Sequence, residues 1–281
     1  MSSDSKNFRE LEDGIHTDLS GRMTYNDYLQ LDDVLGAQKT LSSHHDEMLF
    51  IIIHQASELW LKLAGHELSA AIAYVKASDF RQAFKVIARV KQILNQLTHS
   101  WDILSTMTPV DYLKFRPSLG NASGFQSYGY RKLEFLLGNK NAAIVRVHDS
   151  NPLIAEALDK LLHEPSLYDE VIRKLHESGF EIDANVLERD FTLPYEHNES
   201  VKQAWLQIYR NADSNFDLYE LAEKLVDIED AFQQWRFKHM YTVQRIIGLR
   251  KGTGGSSGVP FLKKALDTSF FPELLDLRSD L

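Results

Sequence analysis

The chain has 281 residues, 31 Lys and Arg against 40 Asp and Glu for a formal charge of −9, and no cysteine. That length buries a sizeable core in one large domain or two ordinary ones, and the acidic balance argues against a phosphate-backbone binder, so no nucleic acid partner is expected. The missing thiols exclude disulfides, thiolate-bound zinc, iron–sulfur clusters and a cysteine nucleophile, which leaves histidine, carboxylate or tyrosine to hold any metal.

Apolar residues recur at helical spacing through most of the chain and period-two alternation is scarce, so an all-α fold is expected. Residues 1–19 are polar, acidic and aperiodic and read as a flexible N-terminal tail, with a single helical domain over 20–281. Thr24, Asn26 and Asp27 mark a helix start, with Tyr25, Tyr28, Leu29 and Leu35 along one side. A second helix starts at His45-Asp46-Glu47, whose acids suit its positive end, and runs through Trp60 towards Ala77. Its apolar run Met48–Ile53 is the longest in the chain and far short of the roughly 20 residues that span a bilayer. With no secretory core at the N-terminus, no membrane contact and a cytoplasmic location are expected.

The third helix starts at Ser78-Asp79 and carries a seam of Phe80, Ala83, Ile87, Val90, Leu94, Leu97, Trp101 and Leu104 that suits an antiparallel bundle. Thr108-Pro109 reads as a cap with proline in the first turn of a short helix that finishes before Pro117. After a loop with Gly120 and Gly124, further helices are expected over Phe125–Leu137, stopped by Gly138, and over Asn151–His163, Ser166–Ser178 and Glu199–Asn211. The last long helix, Phe216–Ile247, has a seam of Leu218, Leu221, Leu225, Ile228, Phe232 and Trp235 whose next position is His239.

A core seam ending in an imidazole, followed by the loop Gly252-Thr-Gly-Gly-Ser-Ser-Gly258, places a nitrogen ligand near a backbone-rich loop. Taken alone, His239 fits a core histidine bonded to a neighbouring carbonyl better than a ligand, and the rest of the chain reverses that balance. The loop lacks the GxxxxGK[ST] order and follows a helix, which excludes a phosphate loop and suits closure of Thr253 and its backbone N–H groups over a small polar ligand. Phe50 and His54 share one helix face with Glu58 a turn further on, where His54 is either a structural residue or a neutral hydrogen-bonding one. Tyr112 and Arg116, leading into Ser123-Gly-Phe-Gln-Ser127 and Arg131, form either a carboxylate clamp or a surface ion pair.

Taken together, Tyr25–Asp32, His45–Gln55 with Glu58–Lys62, Arg116 with Ser123–Ser127, and His239 with Gly252–Gly258 resemble the tryptophan 2,3-dioxygenase family, in order and spacing, from about residue 24 to the C-terminus. The resemblance implies an all-α haem protein, tetrameric as a dimer of dimers, that inserts both atoms of O₂ across the indole C2–C3 bond of L-tryptophan to give N-formylkynurenine. It implies His239 as the iron ligand with Trp235 packed beside it, His54 facing the indole N–H and Phe50 walling the indole. Arg116 and Tyr112 would meet the substrate carboxylate, Thr253 the ammonium and carboxylate, and Ser123 and Gly124 the cofactor. Tyr25, Tyr28 and Leu29 match a segment that reaches into a neighbouring subunit's site. A glutamine is expected two residues after Ser127, where this chain has Gly129. The sister indoleamine 2,3-dioxygenases are disfavoured by a histidine at position 54, where they would carry serine. A haem-based sensor without turnover is disfavoured because no output domain is visible.

Overall fold

A computed structural model of the chain describes residues 7–281; of the expected tail, residues 1–6 lie outside them. The described residues contain helices and turns and no strand, so the fold is all-α. They fall into two compact units, one up to Thr40 and one over Leu41–Leu281.

The first unit contains α1 (Tyr25–Leu29) and α2 (Leu31–Gly36). Thr24 caps α1 as expected, accepting from the Asp27 N–H while the Asp27 carboxylate accepts from the Thr24 N–H. The single helix expected here is broken because Gln30 adopts a left-handed conformation with φ 51°, which ends one helix and starts the next. Neither helix buries a residue, and Tyr25 and Tyr28 are each 76% exposed.

The second unit is organised by three long helices: α3 (His45–Lys76), α4 (Phe80–Leu104) and, far along the chain, α12 (Phe216–Ile247). Asp79 starts α4 by accepting from the Gln82 N–H, immediately after a tight reversal at Ser78 with φ 58°. The α4 seam buries Ile87, Val90, Leu94 and Leu97 in one core with Ala64 and Leu68 of α3 and Leu221, Leu225 and Phe232 of α12. Fully burying one such side chain contributes about 1.5–3 kcal/mol, so this three-helix seam dominates the stability of the unit.

Between the long helices lie α5 (Pro109–Phe115), α6 (Tyr128–Leu137), α7 (Ala142–Arg146), α8 (Pro152–His163), α9 (Leu167–Glu177), α10 (Ala184–Leu187) and α11 (Glu199–Arg210); α13 (Val259–Leu266) and α14 (Pro272–Asp276) follow α12. The helix expected over Phe125–Leu137 is a 3₁₀ turn at Gly124–Gln126 and then α6, because the Ser127 hydroxyl accepts from the Tyr130 N–H and restarts the ladder. Gly138, with φ 107°, ends α6 as expected. The short helices α7, α10, α13 and α14 have too few turns for their periodicity to register in the sequence.

Candidate active site

His239 lies on α12 in a three-ring cluster with two indoles that also touch each other at 6.0 Å: it stacks on Trp101 of α4 with centroids 4.6 Å apart and rings 13° from parallel, and lies 5.6 Å from Trp235 one turn earlier. Burial pushes the imidazole down to about 4, and the nearby charge of His54 pushes it the same way. The ring is therefore neutral at neutral pH with a lone pair available, and no hydrogen bond contributes to its titration. It retains some accessible surface.

His54 on α3 lies close enough for its charge to disfavour protonation of His239. Its Nδ1 is 2.7 Å from the Phe50 carbonyl, and because a carbonyl only accepts, the neutral ring carries its hydrogen on Nδ1 and leaves Nε2 as an acceptor. Burial lowers its proton affinity below the ordinary histidine value, partly offset by the Phe50 bond. Phe50 lies 4.1 Å from the His54 ring, 5.5 Å from Phe115 and 6.1 Å from Tyr112, an aromatic wall contributed by α3 and α5.

Arg116 follows α5 directly and donates from Nη2 to the Lys251 carbonyl at 2.7 Å, while its Nε is buried without a partner. Burial raises the Tyr112 phenol, and the adjacent Arg116 guanidinium partly opposes that rise. A half-buried fork with one donor anchored and another unmet is the arrangement that accepts a carboxylate. The glycine loop closes against the preceding loop: the Thr253 hydroxyl donates to the Ala122 carbonyl, and Gly254 approaches Ser123 so closely that a Cβ there would lie 2.7 Å from the Ser123 Cβ. Ser123 caps the 3₁₀ turn that begins with Gly124, accepting from the Phe125 N–H.

The second unit thus brings together Phe50, His54, Tyr112 and Arg116, joins Ser123 and Gly124 to Thr253, and sets Trp235 beside His239. Tyr25, Tyr28 and Leu29 belong to the first unit, with their side chains exposed. Trp101 was readable only as one more seam residue of α4, because its stacking on His239 depends on how α4 crosses α12. Gly129, where a glutamine was expected, is buried against α3; a Cβ there would lie 2.8 Å from the Glu58 Oε2 and 2.9 Å from the Leu61 Cβ.

Among the described residues no cluster of three or more His, Asp or Glu could hold a bare metal ion. A lone neutral imidazole suits instead a metal that brings its own equatorial ligands. The indole Nε1 atoms of Trp101 and Trp235 are both buried without an acceptor beside that imidazole. Each such orphaned donor costs about 1–3 kcal/mol, so the surroundings of His239 suit a further group that brings an acceptor, and the lone neutral imidazole fits the iron of a haem.

A family model described as tryptophan 2,3-dioxygenase matches residues 9–281. The chain is 69% identical to the tryptophan 2,3-dioxygenase of Shewanella woodyi over 98% of this chain and 96% of that protein. It is 55% identical to that of Bacillus thuringiensis over 96% and 97%, and 54% identical to that of Burkholderia orbicola over 94% and 85%.

Proposed function

The chain belongs to the tryptophan 2,3-dioxygenase family, and on that premise we propose that it is an oxidoreductase that converts L-tryptophan and O₂ to N-formylkynurenine, the first step of tryptophan catabolism by the kynurenine route. The observation that carries this reading to the site is the pairing of a neutral His239, packed against two indoles, with a His54 whose Nε2 is left as an acceptor.

His239 would hold the iron of haem b through a ring nitrogen, with Trp101 and Trp235 packed beside that histidine and Ser123 and Gly124 bordering the cofactor. When bound, ferrous haem supplies the activation of O₂. Everything else is binding and orientation. Phe50 walls the indole together with Phe115 and Tyr112. His54 accepts the indole N–H at Nε2, and since that N–H is a very weak acid, the histidine orients the ring more than it removes a proton. Arg116 and the Tyr112 hydroxyl meet the substrate carboxylate. The Thr253 hydroxyl spends its hydrogen on the Ala122 carbonyl, so its oxygen lone pairs remain to accept from the substrate ammonium.

The assembly is a homotetramer in which Tyr25, Tyr28 and Leu29 reach a neighbouring subunit's site. Their exposure supports this reading, as do the exposed Met48, Ile52, Leu59 and Trp60 on α3 and Phe237 and Tyr241 on α12, which are costly to leave in water. No helix among the described residues is long and apolar enough to cross a membrane. Titrating the ferrous holoprotein with L-tryptophan in a spectrometer, then admitting air, tests cofactor, substrate and product together. A shift of the haem bands followed by the absorbance of N-formylkynurenine is expected; haem without product would favour a sensor, and absence of haem would overturn the reading.

A further inference from the structure

Beneath the two loops at the amino-acid end of the site lies a buried ion triad. Glu134 of α6 accepts at Oε2 from the Arg131 Nη1 at 2.6 Å, while its Oε1 is 3.5 Å from the Arg236 Nη2 and accepts from the Asn139 amide at 3.3 Å. All three charged residues are at most 8% exposed. Removing one partner of such a buried set leaves uncompensated charge, so these residues are tightly constrained.

What the two guanidinium groups grip gives the triad its direction. Arg131 turns Nε and Nη2 onto the Phe125 carbonyl at 3.2 and 3.1 Å and lies over the Phe125 ring, directly after Ser123 and Gly124. Arg236, one residue after Trp235, donates from Nη1 to the Ala265 and Thr268 carbonyls at 3.0 and 2.9 Å, at the end of the helix that follows the glycine loop. The two loops that meet at Thr253–Ala122 and Gly254–Ser123 are therefore each tied, at their far ends, to one carboxylate.

We propose that Glu134 is a positioning residue that sets the spacing of the two loops through Arg131 and Arg236, and thereby the binding of the substrate's amino-acid end. This rests on the functional reading above. Because α12 is anchored independently through Leu225, Ile228 and Phe232, loss of the triad is felt at the loops and not at His239.

The test uses the holoprotein. Glu134→Gln keeps the volume and removes the charge; it should retain full haem content and an unchanged Soret band, hold kcat within about twofold, and raise KM for tryptophan on the order of tenfold. Affinity for 3-methylindole, which lacks both the carboxylate and the ammonium, should stay as in the unmutated protein. Arg131→Lys keeps a cation beside Glu134 but cannot hold the Phe125 carbonyl with a planar fork, and should give the same split. An unchanged KM, or equal losses for tryptophan and 3-methylindole, would overturn the proposal; if Glu134→Gln does not fold, Arg131→Lys decides on the same criteria. An unmutated protein that forms no N-formylkynurenine would overturn the functional reading and this proposal together, whereas normal turnover there with no split in the variants overturns this proposal alone.

Discussion

His54 on α3 and His239 on α12 are both part-buried imidazoles with lowered proton affinity, yet they are held in different ways. His54 is fixed by a hydrogen bond: the Phe50 carbonyl one turn back takes the Nδ1 hydrogen, which sets both the tautomer and the ring plane and leaves Nε2 to meet a donor. His239 is fixed by shape: Trp101 and Trp235 hold its plane by stacking, and neither nitrogen is committed by a bond that affects its titration. A carbonyl partner makes a histidine a directed hydrogen-bonding group, whereas packing against indole rings preserves a lone pair for a metal. Substitutions should therefore separate the two residues by kind of loss as well as by size.

The largest effect is expected on the stacked side. His239→Ala should lose haem while the helices, whose core residues it does not replace, keep their far-ultraviolet circular dichroism. A variant purified with full haem content and a normal Soret band would break the contrast between the two histidines.

Next comes the carboxylate clamp. Charged hydrogen bonds contribute roughly 1.5–3 kcal/mol, so Arg116→Ala should weaken tryptophan binding on the order of 10- to 150-fold. Tryptamine should already bind the unmutated protein poorly and lose little more, narrowing the gap between the ligands. Equal losses in this double-mutant-type cycle would mean that Arg116, through its bond to the Lys251 carbonyl, supports only the loops.

His54→Ala should keep haem and cost about 2- to 13-fold in rate, the worth of one oriented hydrogen bond of roughly 0.5–1.5 kcal/mol. Complete loss of turnover with intact binding would instead make His54 an obligatory base. The same residue predicts a pH dependence. Only neutral His54 can accept at Nε2, and its proton affinity is lowered mainly by burial, so the acid limb of tryptophan binding should lie below the ordinary histidine value of about 6.5. The unfolded chain takes that proton first as pH falls, so stability should decline in the same window. An acid limb at or above 6.5, lost in His54→Ala, would show an exposed, unshifted ring.

The contrast also explains what was legible in the sequence. The three long helices could be read because a seam of alternating three- and four-residue steps forces its own burial, and Phe216–Ile247 is found with the boundaries its pattern gave. His239 stood out because it breaks such a seam, and the clamp because Arg116 lies beside Pro117 and a glycine loop. Trp101 was hidden for the opposite reason: it obeys its seam, and only the crossing of α4 and α12 turns its face onto the imidazole and leaves its N–H without an acceptor. The Arg131–Glu134–Arg236 triad was equally invisible, since its members come from α6 and α12. The break at Gln30 was missed because a non-glycine residue in the left-handed region has no strong signature.

The smallest effect tests how far His54 depends on the packing behind it. Gly129 of α6 presses on α3, and an added Cβ would meet two atoms of unequal resistance. The Glu58 Oε2 at 2.8 Å ends an exposed, flexible side chain and can move aside, whereas the Leu61 Cβ at 2.9 Å is fixed to the backbone of α3 and yields only if the helices part. Overpacking of this kind costs about 1–3 kcal/mol, against which an alanine recovers up to about 1 kcal/mol of helix propensity. Gly129→Ala should thus be destabilised by roughly 0–2 kcal/mol, lowering Tm by up to about 8 °C. Leu61 is two turns beyond His54 on the same helix, so the displacement is largely absorbed before it reaches the ring, and tryptophan affinity should change by less than about threefold. A variant with unaltered Tm but a tenfold loss of tryptophan affinity would reverse that order. The position of His54 would then be set by the α3–α6 spacing more than by its own bond to the Phe50 carbonyl.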